Sequence, residues 1–346
     1  MHIEPRTQAT VDVHTHFFPA GLTDLAALTG DSRWPSLHIA ADSQARIMRG
    51  NEVFRLVAQT CWDPAARLEA MNAADVDVQV LSPVPVTLTT WAEPKLATDF
   101  ARAQNDLFAA AASIAPDRFL WLGTVPLQDS DAAITEMERA LSMGAKGVEI
   151  GTEANGRELD DTALRPFFAA AAELGVALFI HPTDSLGAIR RKGQPHEFGL
   201  GMLTDTAMAA SALVFGGVLE ECPGLRVGLA HGCGSFAWAF PRLARGATLG
   251  TPPDSFERQM SGFAELLGLL WADTLVFDPD HLALLISRFG ADHLFLGSDF
   301  PFYPPAWGAP TEVLDSAVEM GCCTAQEGSA MKGANGFRFL GVENSR

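Results

Sequence analysis

Apolar positions along the chain gather into eight short runs: TVDVHTH (10–16), DVQVLSPVPV (77–86), RFLWLGTVP (118–126), KGVEIG (146–151), GVALFIHP (175–182), LRVGLAHG (225–232), DTLVFD (273–278) and HLFLGSDFP (293–301). Between most of them the apolar residues change to three- and four-residue steps, as in PKLATDFARAQNDLFAAAASIA (94–115) and DAAITEMERALSMG (131–144), which predicts amphipathic helices. Strands alternating with helices imply a parallel sheet covered on both faces. Eight such units predict a (β/α)8 barrel, whose reactive groups collect at the carboxyl ends of the strands. A doubly wound open sheet is the rival topology, but it calls for a glycine-rich loop after the first strand, where this chain has HTH. The long first connection, about 17–75, has mixed polarity with alternating stretches and is expected to be a small insertion covering the barrel mouth. No repeat or interdomain linker is evident, so the chain reads as a single barrel domain over 1–346.

Composition narrows the partners. With 48% hydrophobic residues, 31 Gly and 21 Pro in 346 residues, the chain can bury a large core and make many tight turns. Its formal charge of -18, from 24 Lys+Arg against 42 Asp+Glu, argues against a nucleic-acid partner, which needs a concentrated cationic surface. Any anionic substrate must therefore meet local arginines. The five cysteines (Cys61, Cys222, Cys233, Cys322, Cys323) are odd in number and lack CxxC spacing, so no disulfide framework or thiolate zinc site is indicated and a reducing cytoplasm fits. MHIEPRTQAT carries no apolar signal core, and no apolar run approaches the roughly 20 residues that span a bilayer, so no membrane role is expected.

The candidate chemistry sits where the runs end. In an extended chain residues i and i+2 share a face, so His14 and His16 can converge on one point. His181 in FIHPTD, His231 in LAHGCG and Asp299 in GSDFP each close another run. A lone histidine in such a place is usually an ordinary hydrogen-bonded residue. Several of them with an aspartate at one barrel mouth match the imidazole and carboxylate donors that Zn2+ accepts, with a position left for water.

This set resembles the amidohydrolase superfamily, with HxH after the first strand, His after the fifth and sixth, and Asp after the eighth. Within it the chain is similar to the 2-amino-3-carboxymuconate-6-semialdehyde decarboxylase family through VFRLVAQTCWDPAARLEAM (53–71), VQVLSPVPV (78–86), FLWLGTVPLQ (119–128), KGVEIGT (146–152), LFIHPTD (178–184), LAHGCGSFAW (229–238) and LGSDFPF (296–302). The resemblance implies that His14, His16, His181 and Asp299 ligate one zinc ion, and that His231 is the general acid/base beside it. Mn2+ would accept the same donors. No lysine ends the fourth strand, where binuclear members of the superfamily carry a bridging carboxylated lysine. Glu149 stands nearby and could bridge, support a ligand, or simply be a polar residue at the mouth, and one metal is expected.

On the substrate side, Arg55 in VFRLV matches the family's substrate-binding arginine and Arg49 falls where the family has a lysine; the plain alternative is that both are surface residues of the insertion. Arg242 in AFPRLARG matches an arginine given to the neighbouring subunit's pocket, which implies a homodimer, although a solvated helix residue reads the same in sequence. The family's second intersubunit arginine is missing here, and only Arg245 could substitute. The stretch SLGAIRRKGQPHEFGLGM (185–202) also departs, with Phe198 in place of a pocket tryptophan and Thr183 in place of another. Phe302 matches an apolar wall position and could equally be a core aromatic. Asp63 and Asp278, each before Pro, read as helix starts. His2, His38, His196, His281 and His293 lie outside the expected strand ends, with His196 near enough to the pocket segment to watch.

The expected activity is non-oxidative, metal-dependent decarboxylation of a small unsaturated or aromatic acid carrying a neighbouring amino or hydroxyl group. The runner-up is hydrolysis of a lactone, amide or related bond. A binding barrel that only braces a metal is the third reading.

Overall fold

The computed structural model describes residues 9–40, 44–183, 189–303 and 308–342. Eight parallel strands form its centre: Val11–Phe17, Val78–Pro83, Phe119–Trp121 with Gly123–Thr124, Gly147–Gly151, Ala177–His181, Arg226–Leu229, Leu270–Asp273, and Leu294–Phe295 with Gly297–Phe300. The third and eighth are interrupted at Leu122 and Leu296, and each interruption hands the ladder from one neighbour to the next. Phe119–Trp121 pairs with the second strand while Gly123–Thr124 pairs with the fourth. Leu294–Phe295 pairs with the seventh while Gly297–Phe300 pairs with the first. The breaks are bridged by Leu122 N donating to Leu81 O and Val13 N donating to Leu296 O, each at 2.9 Å. The ring is thereby closed into the expected barrel.

Alternation decides what each strand offers. In the fourth, Val148 and Ile150 join Phe167 and Phe168 in the core between strands and helices, and the residues between them, Gly147, Glu149 and Gly151, take the other face. In the fifth, Leu178 and Ile180 pack outward, whereas Phe179 packs on Phe295 inside the barrel. Phe339 of the last helix, Ala334–Phe339, stacks on Phe295 at 4.7 Å and closes the barrel's amino-terminal end. The carboxyl-terminal end is left for chemistry.

The first connection contains a three-stranded antiparallel sheet, Pro35–Ile39, Gln44–Arg49 and Glu52–Ala58. Ala45 and Ile47 alternate inward onto Phe18 and Trp62. The insertion is shorter than the 17–75 expected from polarity, because Phe17 completes the first strand and Pro64–Ala73 is a barrel helix whose Met71 packs with Phe17 and Leu81. Both Asp-Pro signals start helices: Asp63 caps Ala65 N at 2.8 Å and Asp278 caps Asp280 N at 2.9 Å. One stretch, Glu197–Phe215, has the length and apolarity to cross a membrane, contrary to the sequence expectation; its Ala209, Ala210 and Leu213 are buried in the core between strands and helices, as in a helix packed against the outside of the barrel.

The seventh strand lies three residues earlier than DTLVFD suggests. Asp273 therefore ends that strand instead of starting it.

Candidate active site

Every side chain of the site leaves the carboxyl end of a barrel strand. His14 and His16 come from the first, His181 ends the fifth, His231 follows the sixth, Asp273 ends the seventh and Asp299 lies in the eighth. A register irregularity between Asp12 and Thr15 separates Asp12 from His14 although they are two apart. Asp12 is bonded to Ser298 and Gln79, and burial pushes its carboxyl up to about 6, against the hydrogen bond from Ser298. His14 instead turns toward the other imidazoles. Arg67, fully buried, donates to His16 O and Thr15 Oγ1 and so ties down the end of this strand.

His14, His16, His181 and Asp299 each present one donor atom, and these atoms all lie within 4.8 Å of one another. The outer nitrogens fix which atoms face inward. His14 Nδ1 lies 2.6 Å from Asp273 Oδ2, His16 Nδ1 2.7 Å from Pro83 O, and His181 Nδ1 2.7 Å from Pro182 O. Carbonyl and carboxylate oxygens only accept, so each Nδ1 carries the hydrogen and each Nε2 presents a lone pair. The Nε2 atoms of His14 and His16 are 3.2 Å apart, and His16 Nε2 is 3.0 Å from Asp299 Oδ1. His181 Nε2 is buried with no partner among the described residues. Four acceptors aimed at one point without a donor between them fit a cation. This is the donor set that a divalent ion of the zinc or manganese type accepts.

The surroundings act differently on the three imidazoles. Burial pulls the His14 imidazole down, but the Asp273 hydrogen bond and charge outweigh it and the group ends above its ordinary value. Burial holds His16 below its ordinary value, and burial with the neighbouring imidazoles holds His181 well below. Asp299 ends below its ordinary value despite its burial, because it lies among the imidazoles of His16, His14 and His231.

His231 stands beside this cluster, its ring centroid 5.0 Å from His181 and 5.3 Å from His14. Its Nδ1 is buried without a partner among the described residues, and burial pulls the imidazole down to about 4, so it is neutral at pH 7. Its backbone is left-handed (φ 56°, ψ 46°) and Gly232 follows at φ 61°, a turn that glycine takes freely. Asp273 holds this turn, accepting from the backbone N of His231 and of Gly232 at 2.8 Å each. One carboxylate thus orients both His14 of the donor cluster and the His231 turn. Sequence reading missed it, and the available signal was the polar residue closing the apolar run LLWAD. Gly297 makes the approach possible, since a Cβ there would lie 2.6 Å from His14 Cβ and 2.7 Å from Asp273 Cβ.

A cavity of about 450 Å3 opens over the cluster, lined in part by Arg55, Phe198, Phe302, His181, His231 and Asp299. The Arg55 guanidinium lies 5.2 Å from the Phe302 ring centroid, and Phe302 lies 5.5 Å from the His16 ring. Thr183 also lines it, whereas residues 185–188 of the divergent stretch fall outside the described residues. Arg49 does not line the cavity; it is exposed at the end of its strand, 5.6 Å from the Phe54 ring. Arg242 is exposed on the helix Phe236–Ala247 and is likewise absent from this chain's cavity, as is His196. Glu149 is fully buried and both its oxygens lack partners among the described residues; it stands outside the four-donor cluster, and burial reinforced by Asp299 raises its carboxyl well above the ordinary range.

Barrel, strand-end imidazoles and aspartate define a metal-binding hydrolase-like barrel, and residues 11–342 match the amidohydrolase family, to which the chain belongs. More particularly, it is 34% identical to the 2-amino-3-carboxymuconate-6-semialdehyde decarboxylase of Dictyostelium discoideum, over 97% of this chain and 92% of that protein. It is 30% identical to the protein of the same name from Caenorhabditis elegans, over 84% of this chain and 85% of that one. Among solved structures, the Metarhizium anisopliae IDCase in apo form shares the fold with a TM-score of 0.81 at 21% identity, covering 97% of this chain and 98% of that one. The dihydroxybenzoic acid decarboxylase of a Polaromonas species, solved with manganese and 2-nitroresorcinol, does so at a TM-score of 0.71 and 19% identity, covering 97% of each chain.

Proposed function

We propose that this protein is a metal-dependent, non-oxidative decarboxylase of a small unsaturated or aromatic carboxylic acid with an amino or hydroxyl group next to the carboxylate. The observation that carries the reading is the convergence of three imidazole Nε2 atoms and Asp299 Oδ1 beside a neutral, unpartnered His231. His14, His16, His181 and Asp299 hold the ion, Zn2+ first and Mn2+ second. When bound, it supplies Lewis acidity to the substrate end of the cavity.

Arg55 grips the carboxylate with its planar fork, and Phe302 packs on the flat conjugated skeleton. His231, neutral at rest, takes up a proton from water in the cavity and holds it as the imidazolium. From there the proton is delivered to the carbon bearing the carboxylate. The electron-rich amino or hydroxyl group carries the resulting deficit, the carbon–carboxylate bond breaks, CO2 leaves, and the bonding pair restores conjugation. One proton is thereby exchanged for one CO2, and His231 returns to its neutral form.

The protein is further proposed to act as a cytoplasmic homodimer in which Arg242, outside its own cavity, completes the partner's pocket. Product analysis tests the reaction: metal-loaded protein with hydroxylated and aminated benzoates and muconates releases CO2 with no uptake of water. Hydrolysis of a lactone or amide in place of CO2 release refutes it. The His231→Asn variant, chosen because asparagine tolerates the left-handed backbone, keeps its metal and loses turnover. Metal loss equal to that of His14→Ala would make His231 a ligand instead.

A further inference from the structure

A second cavity of about 350 Å3 lies against the reaction cavity and shares Phe198, Met202 and His231 with it. Beyond that shared wall it is chiefly hydrocarbon. Leu203, Val276, Leu284 and Leu285 line it, while Trp238 and Phe277, 77% and 51% exposed, also line it and give it an edge at the surface. The polar side chains on it are His231, Ser235 and His281. It is a built feature of the His231 turn: a Cβ on Gly232 would lie 2.4 Å from Val276 Cγ1, so the turn is packed directly on this wall. Its volume exceeds the roughly 300 Å3 at which ordinary ligand sites begin. The two cavities also differ in kind. Arg55 gives the first a place for an anion, whereas the second has no Asp, Glu, Lys or Arg among its lining residues.

We propose that this chamber receives an apolar substituent of the substrate, so that the enzyme selects an unsaturated or aromatic acid bearing an alkyl or aryl group over the bare acid. The inference rests on the decarboxylase reading above. A substrate held in the reaction cavity between Arg55 and His231 has Phe198 and Met202, which line both cavities, on its chamber side. That side is where the chamber begins. Apolar atoms passing there leave water for a hydrocarbon wall, which stabilises the complex by about 0.8 kcal/mol per methylene.

The test uses the metal-loaded full chain, with 2-hydroxybenzoate and its derivatives carrying a propyl group at each ring position in turn. Binding is measured by calorimetry on the wild type and on Leu284→Trp, which fills the chamber from the helix Pro279–Phe289 without touching the metal cluster. At one ring position the propyl acid binds roughly 50-fold tighter than the bare acid, from three methylenes at the value above. In Leu284→Trp that gain disappears and binding of the bare acid is unchanged. A propyl acid that gains nothing at any position, or a gain that survives Leu284→Trp, overturns the inference. Crystals under xenon pressure give an independent reading: a xenon atom among Met202, Val276 and Leu284 supports an open apolar chamber. No xenon, with a side chain of a second copy seated there, overturns it. Failure of the decarboxylase reading looks different, because then the bare acid itself neither binds nor releases CO2.

Discussion

Replacing Asp273 by asparagine separates a hydrogen-bond acceptor from its charge at nearly constant shape. The carboxylate accepts four N–H groups: Oδ2 takes His14 Nδ1 at 2.6 Å and His231 N at 2.8 Å, and Oδ1 takes Gly232 N at 2.8 Å and Leu275 N at 3.1 Å. An asparagine must put an NH2 in one of these two places. If it replaces Oδ2, His14 gives up its Nδ1 hydrogen to accept from the amide, and its Nε2 then carries a hydrogen toward the metal position. If it replaces Oδ1, the backbone N–H groups of Gly232 and Leu275 face another donor and the His231 turn shifts. Each buried N–H left unsatisfied costs about 1–3 kcal/mol, and loss of a ligand's outer hydrogen bond typically weakens metal binding about 10- to 100-fold. Asp273→Asn is therefore expected to destabilise the metal-free protein by about 2–5 kcal/mol in urea titrations. It is also expected to lower metal affinity at least about tenfold in a chelator competition read by elemental analysis. Wild-type metal affinity together with wild-type stability would refute the assignment of Asp273 as the common support of His14 and His231.

Three other outcomes follow from the same geometry. Gly297→Ala drives a Cβ to 2.6 Å from His14 and 2.7 Å from Asp273, so it should destabilise by about 1–3 kcal/mol and lower metal content; an unchanged urea midpoint would contradict this. His231 titrates at about 4 in the folded chain against about 6.5 when unfolded, so below pH 6.5 the unfolded chain takes up a proton the folded one refuses. Its contribution, roughly 3 kcal/mol, is present above pH 6.5 and lost as the pH falls toward 4. In chelator-treated protein His231→Asn should flatten that fall, and a pH slope equal to the wild type's would count against a buried neutral imidazole. Arg242→Ala should lower turnover without changing the unfolding midpoint, and mixing it with His14→Ala should restore part of the activity through hybrid dimers. No recovery on mixing would remove Arg242 from a shared pocket.

The chain's own order of residues determines the barrel and the donors. Eight apolar runs separated by helical periodicity leave few ways to bury both faces of a sheet, and polar residues that close such runs have nowhere to go except the strand ends. Hence His14, His16, His181, His231 and Asp299 were legible as a group, as was Arg55 at the cavity. Arg49 was not, because an alternating insertion strand shows which residues share a face and not which face meets the cavity. The run LLWADTLVF hides its own boundary, since a strand buried on both sides has no period to mark where it stops, and so Asp273 was placed at the wrong end. Only the tertiary structure decided the rest. Asp273 meets His14 across 259 residues of chain and Pro83 meets His16 across 67, and these distant acceptors choose which nitrogen of each imidazole keeps its hydrogen. Sequence sets which atoms are able to bind a cation, and hydrogen bonds between strands far apart in the chain turn those atoms toward it.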